Sequence, residues 1–434
     1  MKQVLERIVA NFQEFSIPEL HPRLQELAEL RGKVSAVIGM RRAGKTFFCY
    51  QQMNRHLDSG WPRRRMLYVN FEDERLLPFV TGDYDALLNV YYAQVPEAAA
   101  EPCRLYFDEI QRVPGWELFV RRLLDEGRCH ITLTGSSSKL LSREIATSLR
   151  GRALSTEVFP FSFREYLLWA GASPPQPGPV GVRARSAMVN ALGQYMESGG
   201  FPEVLGLDKP TRRNILQGYL DVVILRDVVE RHSISNVAAL RALLRHVLHA
   251  PANPFSVNRF AGQLRSMGVP VAKNALYEFV DHLADSFLLY PVEVHARSVR
   301  KRQVNPRKMY AVDVGLLQAV SFAGVTDRGA MLENLVYLGL RRRGIQPDYY
   351  LTSRGHEVDF VFENEKGKRE FVQVCVSVDD DETRRREVRA LQEAIQECRD
   401  SSGRLVTWMD EGEVDGVEMT PAWRWLLTQD SAKG

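Results

Sequence analysis

Gly39-Met40-Arg41-Arg42-Ala43-Gly44-Lys45-Thr46 places four residues between two glycines and follows the second with lysine and threonine. That spacing fits G-x-x-x-x-G-K-[ST], a loop whose backbone N–H groups cradle phosphates. In such a loop Lys45 reaches the β- and γ-phosphates and the Thr46 hydroxyl sits on magnesium. Gly39, Arg42, Ala43, Gly44 and Phe47 complete the expected ATP-binding set, while the Arg41 and Arg42 side chains are read as solvating the loop tip. Leu105-Tyr106-Phe107-Asp108-Glu109 supplies the second half of the chemistry, an apolar run ending in two acids. Asp108 is expected to hold Mg2+ through water and Glu109 to orient and polarise an attacking water, so the pair points to hydrolysis rather than nucleotide storage.

Two further segments suit the same reaction. Ile131-Thr132-Leu133-Thr134-Gly135-Ser136-Ser137-Ser138 ends a strand in small hydroxyls, and Ser137, or its neighbour Ser136, is expected to sense the γ-phosphate. In Leu149-Arg150-Gly151-Arg152, Arg152 is the candidate arginine finger for a neighbour's active site, with Arg150 as the alternative.

The elements that must position these groups are also legible. The β-branched run Val34–Ile38 reads as a buried strand and residues 47–57 as a helix, so the glycines fall in a strand-to-helix turn with the helix N-terminus aimed at phosphate. Pro174, Pro175, Pro177 and Pro179 mark a loop at 172–181. Beyond residue 238 the pattern reads helix, a second helix opening at Phe255-Ser256-Val257, a third over 271–286, then strands over 287–294 and 308–312 joined by a basic tip. That is the layout of a winged helix. Lys273, Asn274 and Tyr277 would start its recognition helix, and Arg297, Arg300, Lys301, Arg302 and Arg307 would grip phosphates. Glu278, Asp281 and Asp285 on the same helix would repel a duplex facing them, which leaves a protein-contact module as the other reading.

The order of phosphate loop, acid pair, polar strand end and arginine resembles the AAA+ ATPases. The motifs Arg41-Arg42-Ala43-Gly44-Lys45-Thr46, Phe107-Asp108-Glu109-Ile110-Gln111, Leu133-Thr134-Gly135-Ser136-Ser137, Gly199-Gly200-Phe201-Pro202-Glu203 and Leu225-Arg226-Asp227 resemble one archaeal and bacterial family within them. That resemblance implies an α/β fold: a P-loop AAA+ core with a helical lid, a winged-helix domain and a C-terminal restriction-endonuclease-like α/β domain. The expected divisions are an N-terminal helical segment at 1–31, the core at 32–172, the lid at 182–236, the winged helix at 237–312 and the nuclease-like domain at 313–434.

Within the last of these, Glu333, Glu357-Val358-Asp359 and Phe371-Val372-Gln373-Val374-Cys375 resemble the PD-(D/E)XK nucleases, where acids and a lysine gather metal and water. Asp359 matches the first acid, but Gln373 stands at the second and Cys375 at the lysine. A neutral amide is a poor ligand for a hard cation, and a thiol supplies no ammonium. The expectation is therefore a binding or oligomerisation platform, with at most weak metal binding by Glu333, Glu357 and Asp359. Arg384, Arg385, Arg386 and Arg389 form a basic helix, either a solvated face or part of a DNA track.

A chain of 434 residues is too long for one ordinary core, and 45% hydrophobic with 26% charged content is that of a globular protein. The sequence holds no apolar run near the length of a membrane span, and its start does not fit a secretory signal, so a cytoplasmic protein is expected. Cys49, Cys103, Cys129, Cys375 and Cys398 are scattered singly and read as packing residues. The resulting expectation is an AAA+ ATPase, a ring-like oligomer and most simply a hexamer, coupling Mg-ATP hydrolysis to work on DNA that includes branched or forked forms. Two other readings stand beside it: an ATP-dependent signalling or defence switch whose C-terminal half binds protein, and an ATP-dependent nuclease.

Overall fold

The computed structural model describes residues 1–136, 149, 151–176, 178–321 and 327–429; the expectations for Ser137 and Arg150 lie outside the described residues. The chain divides into two compact units, one of Met1–Phe159 with Asp285–Phe287, the other of Pro160–Ala284 with Leu288–Gly434.

The first unit opens with α1 (Lys2–Glu14), whose Leu5, Ile8, Val9 and Phe12 form a buried stripe at helical spacing. Residues 15–31, expected as helical, contain no helix. Pro18 and Pro22 lack the N–H that helix continuation needs. There follow β1 (Val34–Ile38), α2 (Lys45–Asp58), β2 (Met66–Asn70), α3 (Asp83–Gln94), β3 (Cys103–Asp108), α4 (Trp116–Glu126), β4 (Cys129–Gly135) and β5 (Ala153–Glu157). The strands make one parallel sheet in the order β2-β3-β4-β1-β5. Every residue of β1 is buried, as expected of a strand covered on both faces. Since β4 separates β1 from β3, the loop after β1 and the acids ending β3 stand about 10 Å apart, with the end of β4 between them. Cys103 and Cys129, isolated in sequence, are register partners on β3 and β4 with their Sγ atoms 3.1 Å apart, both free thiols.

The second unit begins with α5 (Phe163–Trp169), started by a capping box of Ser162 and Glu165, then α6 (Val182–Ser198) and α7 (Lys209–Val222). The Gly199-Gly200 pair between α6 and α7 has a packing reason. A β-carbon on Gly200 would collide with the Phe161 carbonyl, and one on Gly199, at φ +71, with the Asp313 carboxylate. That carboxylate accepts the N–H groups of Gly200 at 2.7 Å and Gly315 at 2.8 Å. The Leu225-Arg226-Asp227 motif lies in a π-helical stretch, Val223–Val229, where Asp227 is buried and 3.9 Å from Arg231.

Next come α8 (Val237–His249), β6 (Pro254–Phe255), α9 (Val257–Ser266), α10 (Lys273–Asp285), β7 (Leu289–Val292), α11 (Val299–Val304) and β8 (Arg307–Ala311). The strands form an antiparallel sheet in the order β6-β8-β7. The basic tip expected as a loop between β7 and β8 is partly helical. Ser298 caps α11 by accepting the Lys301 N–H at 3.4 Å, and no glycine or proline interrupts the chain before Pro306.

The chain ends with α12 (Val314–Val320), α13 (Arg328–Arg342), β9 (Asp348–Leu351), β10 (Glu357–Glu363), β11 (Arg369–Val374), α14 (Asp381–Glu397), β12 (Ser401–Thr407), β13 (Gly412–Val414), β14 (Val417–Pro421) and α15 (Ala422–Gln429). The six strands form a mixed sheet ordered β13-β14-β12-β11-β10-β9. Val388, Leu391 and Ala394 of α14 pack with Val358, Phe371 and Leu405 of the sheet. On α14, Arg384 pairs with Asp381 and Arg386 with Glu387, so part of its basic charge is answered within the helix. The expected boundary at 312/313 falls inside a tightly joined region: the Asn334 side chain of α13 bonds both the N–H and the carbonyl of Ala311 on β8, at 2.8 and 2.9 Å.

Candidate nucleotide site

The loop after β1 turns in conformations its glycines permit. Gly39 has φ +142 and lies so close to the Val158 carbonyl that a β-carbon would collide; Gly44, at φ +98, ends the loop as the cap of α2. Arg42 also adopts positive φ, and Arg41 reaches Glu72 at 3.1 Å. The buried Lys45 ammonium donates to the loop's own carbonyls, Gly39 at 3.1 Å and Met40 at 3.2 Å, and stands 3.7 Å from Glu109. The next side chain, Phe47, is exposed and lies edge-on to Tyr50.

Asp108 ends β3 facing this loop. Thr46 donates to its Oδ2 at 2.7 Å, Tyr68 of β2 donates to the same oxygen at 2.6 Å, and Thr134 of β4 donates to Oδ1. Burial and the neighbouring Asp108 charge hold the Tyr68 phenol well above its usual range, so it stays a donor. Thr46 and Asp108 offer adjacent hard oxygens, the ligand chemistry that magnesium takes. The residues present therefore fit that ion.

Glu109 follows at φ +52, a left-handed conformation uncommon for a residue with a side chain. Its N–H is accepted by Thr134 Oγ1 at 3.0 Å, and its carboxylate accepts from Gln111. Burial pushes the Glu109 carboxyl up, against the opposing pull of Lys45.

Arg23 is a residue that motif reading passed over. It comes from the non-helical segment after α1, is 5% exposed, and donates to the carbonyls of Ala43 at 3.2 Å and of Phe159. Its own backbone is clamped by Gln51 of α2, which accepts the Arg23 N–H at 2.7 Å and donates to the Arg23 carbonyl at 2.9 Å. Arg23 thus braces the phosphate loop from behind.

Among the expected site residues, Gly39, Arg42, Ala43, Gly44, Lys45, Thr46, Phe47, Asp108 and Glu109 gather at the C-terminal edge of the parallel sheet. Ser136, at the end of β4, is fully buried. Arg152 sits elsewhere. It immediately precedes β5, its carbonyl accepts the N–H of Val34 at 2.8 Å, and its side chain pairs with Asp125. That is the opposite edge of the sheet, about 16 Å from its own loop.

In the second unit, Lys273 and Asn274 open α10 and are exposed, as are Arg300 and Lys301 on α11, while Arg302 is half-buried. Arg307 is partly neutralised, lying 3.1 Å from Glu293 and 3.8 Å from Asp281 of α10. A cavity of about 350 Å3 is lined by Tyr277 of α10, Ser256 and Asn258 near the start of α9, and Asn305 and Arg307. Glu333, Glu357 and Asp359 converge, but on a partner that the sequence reading did not foresee, the ammonium of Lys308. Cys375 supplies no ammonium, as expected of a thiol, but a charge reaches these acids from β8 instead.

A parallel sheet in this order, a phosphate loop after β1 and an acid pair ending β3 make up a P-loop nucleotide-site fold, and residues 31–167 match the model of an AAA domain. Residues 189–328 match a domain of unknown function, DUF8612. The chain belongs to the family of uncharacterized protein MJ1544 of Methanocaldococcus jannaschii, to which it is 33% identical over 417 residues covering 93% of this chain and 90% of the relative. An uncharacterized protein of Haemophilus influenzae is 26% identical over 413 residues, covering 93% of this chain and 97% of its own. Of solved structures, the Walker-type ATPase PABY2304 of Pyrococcus abyssi is similar at 14% identity and a TM-score of 0.39, over 74% of this chain and 95% of that one. No helix among the described residues is long and apolar enough to cross a membrane.

Proposed function

We propose that this AAA-domain protein hydrolyses Mg-ATP and couples the reaction to binding or remodelling of DNA. The observation that carries the hydrolytic half is the three-way tie at Asp108: Thr46, Tyr68 and Thr134 fix both carboxylate oxygens, while Thr134 also holds the Glu109 backbone. Magnesium, when bound, neutralises charge on the phosphates. Lys45 then exchanges its contacts with the Gly39 and Met40 carbonyls for phosphate oxygens, and Glu109 is released from Lys45 to orient water. Since Arg152 lies at the far edge of its own sheet, it serves a neighbouring subunit, in a ring that we take to be hexameric.

The DNA half rests on the second unit. The order helix, short strand, two helices and an antiparallel strand pair supports the winged-helix reading of 237–312, with the lid at 182–236 before it and the nuclease-like domain at 313–434 after it. Lys273, Asn274, Arg300, Lys301 and Arg302 are the proposed contacts. A protein-binding switch is the competing reading, favoured by the acids that share α10 and by the Asp281–Arg307 pair.

The deciding experiment is steady-state ATP hydrolysis by the wild type and Glu109→Gln with no DNA, duplex, single strand and a four-way junction, at two salt concentrations. Stimulation by one DNA form that weakens with salt and is lost in Glu109→Gln supports a DNA-coupled ATPase. Hydrolysis indifferent to every DNA favours the switch, and absence of hydrolysis removes the enzymatic reading.

A further inference from the structure

Lys308 is a buried ammonium surrounded by acids. Its Nζ lies 2.8 Å from Glu333 of α13, 2.8 Å from Glu357 and 2.9 Å from Asp359, both of β10, and the side chain is 3% exposed. An ammonium has three N–H bonds and no acceptor. Glu333 and Asp359 accept charge-assisted hydrogen bonds from it, and Glu357 adds a third ion pair.

These are the acids through which a nuclease-like fold would bind its divalent metal, so the fit of a metal can be tested against the surrounding contacts. Magnesium wants about six oxygens in near-octahedral array at about 2.1 Å. Here the oxygens are spaced for N–H donors around a nitrogen already at their centre. Two of the three acids make further contacts. Asp359 Oδ2 accepts the Val374 N–H at 2.9 Å, and Glu333 Oε1 accepts the Tyr310 hydroxyl at 2.6 Å. Gln373, at the second acid position, spends its amide on the Asp359 N–H, at 3.1 Å, and on Glu387. Cys375 is buried, and burial pushes its thiol up to about 12. Among the described residues no group of three or more His, Cys, Asp or Glu is arranged to hold a metal ion. The residues do not fit the metal.

We propose that Lys308 is a tethered cation standing where a divalent metal would stand, so that this module is assembled around an internal ion cluster and excludes metal rather than using one. The burial of Lys308 also withholds it from DNA, so it cannot replace the lysine of a nuclease by touching a phosphate. Three carboxylates left without their cation would carry a large desolvation cost, which a divalent ion could relieve. Removing the ammonium should therefore turn the cluster into a metal site.

The test uses the full chain, nucleotide-free, with Asp108→Asn throughout so that the phosphate-loop site does not report, and Mn2+ binding followed by electron paramagnetic resonance. This parent is expected to show no site sensitive to Glu357→Gln, the substitution at the most exposed of the three acids. Lys308→Ala is expected to gain one site at least about tenfold tighter than any in the parent, lost again on adding Asp359→Asn. A folded Lys308→Ala that gains no such site overturns the proposal. If that variant fails to fold, the parent decides: a Glu357-dependent Mn2+ site overturns the proposal and the lack of one supports it. Mn2+-dependent DNA cleavage by the otherwise unaltered protein that disappears in Asp359→Asn also overturns it. None of these outcomes bears on ATP hydrolysis, so the inference stands or falls apart from the proposed function.

Discussion

The hydroxyl of Thr134 donates to the carboxylate of Asp108, and the same oxygen accepts the N–H of Glu109 at 3.0 Å. One side chain on β4 therefore sets both acids of the neighbouring strand. Thr134→Val keeps the shape and removes both bonds. Its kcat for ATP is expected to fall about 10- to 100-fold, the worth of a hydrogen bond to a charged group, with KM much less affected. Thr134→Ser should recover most of the rate. A Thr134→Val enzyme with unchanged kcat would remove the positioning role.

Arg23→Ala takes this donor from the Ala43 carbonyl and removes a bond to the Phe159 carbonyl. An unsatisfied buried carbonyl costs about 1–3 kcal/mol, so both nucleotide affinity and melting temperature should drop. Calorimetric titration with a non-hydrolysable ATP analogue, beside a thermal melt, measures the two effects. Unaltered affinity would mean that the brace does not shape the phosphate loop.

Arg152 and Glu109 are expected to work in different subunits. Arg152→Ala and Glu109→Gln should each be inactive alone, while a mixture of the two recovers part of the wild-type rate, because some interfaces then pair an intact arginine with an intact glutamate. A mixture as inactive as its components would count against action across the boundary.

Asp313 predicts a pH dependence of stability. Burial raises its carboxyl to about 6, against the N–H groups of Gly200 and Gly315 that favour the charged form. The folded chain thus holds a proton that the unfolded chain releases near its ordinary value of 3.8. Stability from this group is present below that value and lost as pH rises through about 6. Urea midpoints taken from pH 4 to 7 should fall more steeply with pH in the wild type than in Asp313→Asn, and equal slopes would refute the assignment.

The nucleotide loop and the acid pair were legible because each is a contiguous motif whose chemistry depends on immediate neighbours. Thr134 was not, since a threonine inside a strand looks like an ordinary β-former until β4 is known to run between β1 and β3. Arg23 lies alone in a proline-containing stretch, and only the fold brings it behind the loop. Lys308 is the sharpest case: Glu333 and Asp359 are 25 and 51 residues away in sequence. The nuclease pattern puts its lysine two residues after Gln373, whereas the charge here comes from another sheet. In the connection between β7 and β8, composition identified the basic charge but missed the serine cap that winds it into α11.

Three residues within four positions of β8 are fastened to the elements that follow. Lys308 holds the acids, Tyr310 donates to Glu333 and stacks 4.3 Å from Tyr337, and Ala311 is gripped on both sides by Asn334. In mechanical terms β8 is a riveted beam rather than a hinge. A pull on Arg300, Lys301 and Arg302 of α11, which leads through Asn305 and Pro306 into this beam, would be transmitted through those three fastenings to α13 and β10.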